Sequence, residues 1–249
     1  MRWHIARKGP VSIMSSTSGD PVILAFESSA DQASAAIRRA DGSHWLRRHA
    51  ARHGHAAMIT ELAREVMSDA GLSADKLTHV VAGRGPGSFT GIRVSLAAAK
   101  GFALASGAAR AGISCLEALF NAVRAARPDL AGSRLIATAD TRRGSYFCQL
   151  FDLAGEPLSQ IEDIVPDREL RVPEAWRAAA IIGPGAADLA AAFPELGLTA
   201  IADTSPVDAL QIAVLAAARL KAGRTMDPLM PLYVAPAFLG PSVSDRAQS

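Results

Sequence analysis

The sequence predicts an α/β protein of two lobes, each built roughly as three strands, a helix, a strand and a helix. Three observations carry that prediction. The order of elements read from hydrophobic periodicity runs once over residues 21–113 and repeats over 114–236. Each repeat holds a glycine turn between an apolar strand and a helix, with Gly83, Gly85, Pro86 and Gly87 in the first and Gly183, Pro184 and Gly185 in the second. A chain of 249 residues, 49% of them hydrophobic, is large enough to bury a substantial core.

Taken in order, residues 1–20 show no apolar periodicity and are left out of the fold. Pro21 to Ser28 is an almost continuous apolar strand, suited to the middle of a sheet. Strands at Ala33–Arg39 and Trp45–His49 follow, with Asp41-Gly42 between them as a hairpin signal. Gly54 to Ala70 carries Met58, Ile59, Leu62 and Val66 at helical spacing, and Gly71 stops it. Leu77–Ala82 is the fourth strand. The glycine turn follows it, and Ser88 or Thr90 caps a helix that runs to about Gly107. Ala109–Ile113 is a strand, and Leu116–Ala126 a helix stopped before Pro128. The second repeat reads as strands at Arg134–Ala139, Ser145–Phe151 and Leu158–Ile164, then a short helix at Pro173–Ala179. Next come a strand at Ala180–Ile182, a helix at Ala186–Ala192, a strand at Ala200–Ala202 and an amphipathic helix at Asp208–Ala222. Residues 237–249 read as a loose tail.

The first glycine turn is the feature with most chemical content. Strand, glycine turn and capped helix together aim backbone N–H groups at one point, which suits an anion. Gly85, Gly87, Ser88 and Thr90 are the residues that would contact a nucleotide or phosphate there. The same stretch is also compatible with a tight connection and nothing more. It lacks the Gly-Lys-Ser/Thr ending of a P-loop and the spacing of a dinucleotide fingerprint. The helix after it is apolar nearly all round, through Ile92, Val94, Leu96, Ala99 and Phe102. Such a helix must be buried on more than one side, in a large core or against another chain.

Composition narrows the classes. A net charge of +2 does not advertise nucleic-acid binding. Cys115 and Cys148, the two cysteines, make no disulfide framework and fit a reduced cytosolic protein. No apolar run approaches the ~20 residues of a membrane span. The first 19 residues, basic and serine-containing without acids, have the composition of a transit peptide. An unstructured tail, or an over-long start with Met14 as the first residue, is the reading favoured. His49, His53 and His55 are spaced for a zinc site only if they share a helix, and the first two precede it. No metal is expected.

The stretch GRGPGSFTGIRVSLAAAKGFALA resembles the signature of the TsaB family, the dimerisation subunit of the bacterial complex that makes threonylcarbamoyladenosine beside the tRNA anticodon. The resemblance extends over about residues 22–236. It includes Ile23 to Ser29 as an opening strand, His53 to Val66, Ala139 to Tyr146 as a second-lobe hairpin, and Pro231 to Val234. It implies the actin-like, ribonuclease-H-like duplicated fold, with the last helix of the second lobe packing back on the first. It also implies a cytoplasmic scaffold that pairs with a TsaD-like catalytic subunit and contacts a TsaE-like ATPase. Further implications are a homodimer when the partner is absent, tRNA met only through the complex, and no cofactor of its own, ATP or ADP being held in the complex. The partner interface expected is Met58, Ile59, Leu62 and Val66 on one helix and Ile92, Leu96 and Ala99 on the next.

The related catalytic subunit, TsaD, starts the helix after this signature with two metal-holding histidines four apart. Laid on this sequence they fall on Cys115 and Leu119. A leucine has no donor atom, so the pair is lost and no catalytic residue is expected. Cys115 then reads as a small buried apolar residue. Glu27 and Asp140 stand where actin-like phosphotransferases hold magnesium. Glu27 replaces the aspartate usual in TsaB. The alternative for both acids is bonding to turn backbone or pairing with Arg142 or Arg143. The competing function is an ATPase or small-molecule kinase acting alone, which needs an open nucleotide cleft and free carboxylates.

Overall fold

The computed structural model describes residues 20–50, 55–166, 172–202 and 204–234. The extension before Asp20 and the tail after Val234 lie outside the described residues. Two five-stranded sheets carry the fold. The first contains β1 (Val22–Glu27), β2 (Gln32–Arg39), β3 (His44–Ala50), β4 (His79–Gly83) and β5 (Ala109–Ile113), in the order β3-β2-β1-β4-β5. The second contains β6 (Leu135–Asp140), β7 (Tyr146–Phe151), β8 (Glu162–Ile164), β9 (Ala180–Ile182) and β10 (Thr199–Ala200), in the order β10-β9-β6-β7-β8. The wiring is the same in both. The first strand of each half is central, antiparallel to the next strand and parallel to the fourth.

Each half ends in its fifth strand and a helix that packs on the other half. Helices α1 (His55–Asp69) and α2 (Phe89–Ser106) cover one face of the first sheet. Its other face is covered by α5 (Ala209–Lys221) from the end of the second half. In exchange α3 (Cys115–Ala126) lies on the second sheet, where Leu116, Leu119, Phe120 and Val123 join Leu135, Ala137 and Phe151 in one cluster. Period-two alternation explains why β1 needs helices on both sides. Leu24 and Phe26 point to α1 and α2, while Ile23 and Ala25 point to α5.

The return of α5 is fixed by polar contacts as well as by apolar ones. Asp208 caps it, accepting from the amides of Leu210 and Gln211, and the Gln211 side chain accepts the Asp208 amide at 2.6 Å. Asp208 is also paired with Arg48 of β3, and the Ala209 amide donates to Ser34 Oγ of β2 at 2.9 Å. Arg219 of α5 meets Glu117 of α3 at 2.7 Å, so the two crossing helices are joined by a half-buried ion pair.

The second half is thinner than its sequence suggests. Pro173–Ala179 is a single 3-10 turn, Glu174–Trp176, because Pro173 and the left-handed Ala178 (φ 57°) bound it. The strand expected from Leu158 begins at Glu162, with Leu158 in a turn whose amide bonds to Leu150 O. The next helix, α4, spans Ala186–Ala192 as expected.

Candidate functional site

The chain between β4 and α2 closes on the end of β1. The Ser88 amide donates to Ser29 O at 2.8 Å, and the Ser88 hydroxyl accepts from the Gly91 amide, so Ser88 is the cap. Gly85 O accepts the Cys115 amide at 2.9 Å. Gly87 has φ 152°, and a Cβ there would stand 2.7 Å from Ser29 O. The four residues expected to hold a phosphate are therefore not assembled into one cradle. Gly85 is buried under Ile92, Ser88 is engaged in the cap, and Thr90 faces the outer side of α2. Of the four, Gly87 alone lines the space between the lobes. Gly87 serves backbone contact with Ser29, just past β1, and Gly85 makes room for the Ile92 side chain.

Glu27 ends β1 and is fully buried. Its Oε1 accepts the Ser29 amide at 2.5 Å and also the Ser29 hydroxyl. Its Oε2 accepts from Cys115 Sγ at 3.2 Å. Burial pushes the Glu27 carboxyl above its ordinary value, against the lowering effect of the Ser29 hydroxyl and amide. Burial, and then the neighbouring Glu27, push the Cys115 thiol well up. Cys115 is thus buried as expected, but it is a hydrogen-bond donor to a carboxyl rather than a purely apolar filler. Glu27 follows the structural alternative, with turn backbone as its partner.

Asp140, the second acid, does the same. It accepts the Arg142 amide at 2.7 Å, and the Arg142 guanidinium stands 3.5 Å from its other oxygen. Arg142 reaches across the lobes to Asp31, Nη2 to Oδ1 2.8 Å. The cleft between Ser29, Gly87, Leu119, Thr138, Asp140 and Pro184 holds about 70 Å³. A drug-sized ligand needs roughly 300 Å³ or more. Leu119, on the cleft wall, is buried in the core of the second lobe. Among the described residues no three His, Cys, Asp or Glu side chains gather around one point. His49 sits on β3, away from any such group, and His53 lies outside the described residues.

The face of α1 and α2 is where the structure corrects the expected interface. Ile59, Leu62, Val66, Ile92, Leu96 and Ala99 are all buried in the chain's own core, against β1, β2 and β4. Met58 is half-buried. Periodicity locates these stripes and cannot say that the chain's own sheet takes them. What the two helices leave open is a groove of about 690 Å³, lined by Thr60, Val94, Ala97, Ala98, Gly101 and Ala105, which Ile59 alone of the expected interface residues also reaches. These residues escape sequence reasoning, although the all-round apolar character of α2 signals a second covered face. Phe89 lies at one end of the groove, 44% exposed, with Arg93 over its ring and Tyr233 beside it. Both Arg93 Nε and Nη2 donate to Tyr233 Oη at 3.2 Å.

Known proteins share this geometry and parts of this sequence. The family described as TsaD, tRNA N6-adenosine threonylcarbamoyltransferase, matches residues 48–239. The chain is 29% identical over 93 residues to the tRNA threonylcarbamoyladenosine biosynthesis protein TsaB of Escherichia coli (strain K12), covering 37% of this chain and 39% of that protein. It is 30% identical over 158 residues to an uncharacterised protein of Mycobacterium leprae (strain TN), covering 59% of this chain and 42% of that protein. The chain spans about half the length, or less, of these curated relatives. Among solved structures, YeaZ from Pseudomonas aeruginosa superposes with TM-score 0.69 at 21% identity, over 86% of this chain and 100% of that one. That likeness shows a shared two-lobed, actin-like fold.

Proposed function

We propose that this chain, which belongs to the TsaD family and resembles TsaB within it, is a non-catalytic subunit of a tRNA threonylcarbamoyl transfer complex. It pairs with a TsaD-like catalytic chain across the open groove of α1 and α2. The observation that carries this reading is the groove itself: two consecutive helices complete their own core on one side and leave a second apolar face on the other. The small side chains Ala97, Ala98, Gly101 and Ala105 let a partner helix approach closely.

Three observations support a non-catalytic role. The positions of the lost histidine pair, Cys115 and Leu119, are occupied by a thiol bonded to Glu27 and by a core leucine. Asp140 is engaged by Arg142, and Glu27 by Ser29 and Cys115. The cleft of about 70 Å³ disfavours the alternative of an ATPase or kinase acting alone. Contact with a TsaE-like ATPase, a cytoplasmic location, a homodimer in the partner's absence and tRNA met only through the complex remain parts of this proposal. So does ATP or ADP held by the complex rather than by this chain.

The test is native co-purification with the TsaD-like chain, using wild type and Ala97→Glu. Wild type is expected to co-elute and the variant to stay folded but alone. A steady nucleotide or threonylcarbamoyl turnover by the purified chain, surviving further purification, would overturn the reading.

A further inference from the structure

After α5 the chain is led back to the head of α2 and pinned there. The Gly112 amide of β5 donates to Asp227 O at 2.8 Å, and Leu229 is buried in the same core as Leu62 and Leu96. Arg84 grips the next residues twice: its Nε donates to Met230 O at 3.1 Å, and its carbonyl accepts the Leu232 amide at 2.8 Å. Tyr233 then lies against Phe89, ring centroids 5.9 Å apart, and its hydroxyl accepts from Arg93. Phe89 and Arg93 line one end of the α1–α2 groove. The described chain thus reaches Val234 beside the mouth of that groove, with residues 235–249 still to follow.

Those residues carry a pattern of their own. Ala235-Pro236-Ala237 is followed by Phe238-Leu239, then by Gly240-Pro241 and a polar run that includes Ser242, Ser244, Asp245 and Arg246. One large apolar pair, set among small residues and between prolines, suits a segment that lies extended in an apolar groove. Proline lacks the amide donor and favours an open helix without internal hydrogen bonds, so such a segment leaves little backbone to satisfy. The lengths agree. From Tyr233 to Leu239 an extended chain spans up to about 20 Å. From Phe89 to Gly101 α2 rises about 18 Å. The apolar pair therefore reaches the middle of the groove, where Ala97, Ala98 and Gly101 line it with small side chains.

We propose that residues 235–241 cover the α1–α2 groove of their own chain, with Phe238 and Leu239 seated against Ala97 and Gly101. An open apolar face in a free chain favours whatever apolar segment can cover it. A segment tethered at the mouth of the groove arrives at a high effective concentration, ahead of a second copy or a separate protein. The contact of Tyr233 with Phe89 and Arg93 sets the start of its path. The docking does not rest on the proposed pairing with a TsaD-like chain, since it concerns the free protein. Where that pairing occurs, the tail leaves the groove first, so the same contact sets a threshold for association.

The experiment uses the full chain carrying Gly101→Cys and Leu239→Cys, compared with the same chain carrying Phe238→Ser as well. The native Cys115 and Cys148 are buried and stay out of the reaction. A Cβ on Gly101 meets nothing within 4 Å, so the helix accepts the new thiol. Thermal melts check this, and Ala97→Cys takes its place if Gly101→Cys melts early. Disulfide formation is followed at low protein concentration on non-reducing gels and by mass. The pair is expected to close within one chain at least about fivefold faster than with Phe238→Ser, whose tether has the same length but lacks the apolar anchor. Equal rates in the folded proteins, or no closure in either, overturn the proposal. Disulfide-linked dimers in place of the closed monomer also overturn it, because they seat a second copy's tail in the groove.

Discussion

Gly91 in the first turn of α2 lies flat against Ser28 at the end of β1. A Cβ built on Gly91 would come within 1.8 Å of Ser28 O, and Ser28 Oγ donates to Gly91 O at 2.8 Å. The helix can approach the strand this closely only without a side chain at that point. Contacts made there and by Ser88 with Ser29 fix where α2 starts, and so which side of it is left open.

Gly91→Ala is therefore expected to destabilise, although alanine is the better helix former by about 1 kcal/mol. The backbone atom it would strike cannot swing aside, so a loss of about 3 kcal/mol or more is expected. Gly101, in the same helix, has nothing within 4 Å of a built Cβ. Gly101→Ala should gain a few tenths to about 1 kcal/mol. Denaturant melts of the two variants check the contrast, and equal effects would refute the packing argument.

Leu62→Glu is expected to unfold the free chain. Leu62 is 4% exposed and packed in the core under α1, so the charge would be buried without a partner. A loss of more than about 4 kcal/mol should appear as an early circular-dichroism melt. Ala97→Glu sits on the exposed side of α2 and should melt within about 0.5 kcal/mol of wild type. If Leu62→Glu melts normally and fails only in pairing, the face assignment is reversed.

Glu27 makes stability depend on pH in a definite direction. Burial raises its folded-state pKa above the unfolded value, so the folded form holds the proton more tightly. The contribution is full below the unfolded pKa and is lost as pH rises through the folded one. Glu27→Gln removes this titration and keeps an oxygen for the Ser29 amide. The stability of wild type minus that of the variant should fall as pH rises from about 4 to 8. Chemical melts of both proteins over that range measure it, and parallel curves would show that Glu27 does not titrate there.

Arg142 holds Asp31 of the first lobe and Asp140 of the second while its own backbone is left-handed, φ 63°. Glycine adopts that backbone without strain. Exposed ion pairs are worth about 0–1 kcal/mol, and relief of a left-handed backbone is of similar size. Arg142→Gly should thus leave global stability within about 1 kcal/mol. It should still speed hydrogen exchange at the cleft, around Ser29 and Thr138, because the cross-lobe tie is gone. Unchanged exchange would mean that core packing alone closes the cleft.

Most of the fold is legible in the chain. The glycine turns, the Asp41-Gly42 hairpin, the cap at Ser88 and the stop at Gly107 are local, and each acts through its own backbone. The short turn at Glu174–Trp176 reads as a helix in the sequence because an apolar stretch of that length fits either. The left-handed Ala178 that ends it leaves no mark on composition.

The sequence by itself determined the element order, the duplication and the apolar stripes on α1 and α2, since all of these are matters of residue type and spacing. Only the tertiary structure decided which surface each stripe meets. Leu62, Val66 and Leu96 turn to the chain's own sheet, Val94, Ala97 and Gly101 to the open groove. It also decided that Arg142 joins Asp140 to Asp31, a residue far back in the chain on the other lobe. Periodicity fixes the angle of a side chain around its own helix or strand. The partner at that angle is set by the crossing of elements distant in sequence, which burial of both sheets' faces selects and no local pattern encodes.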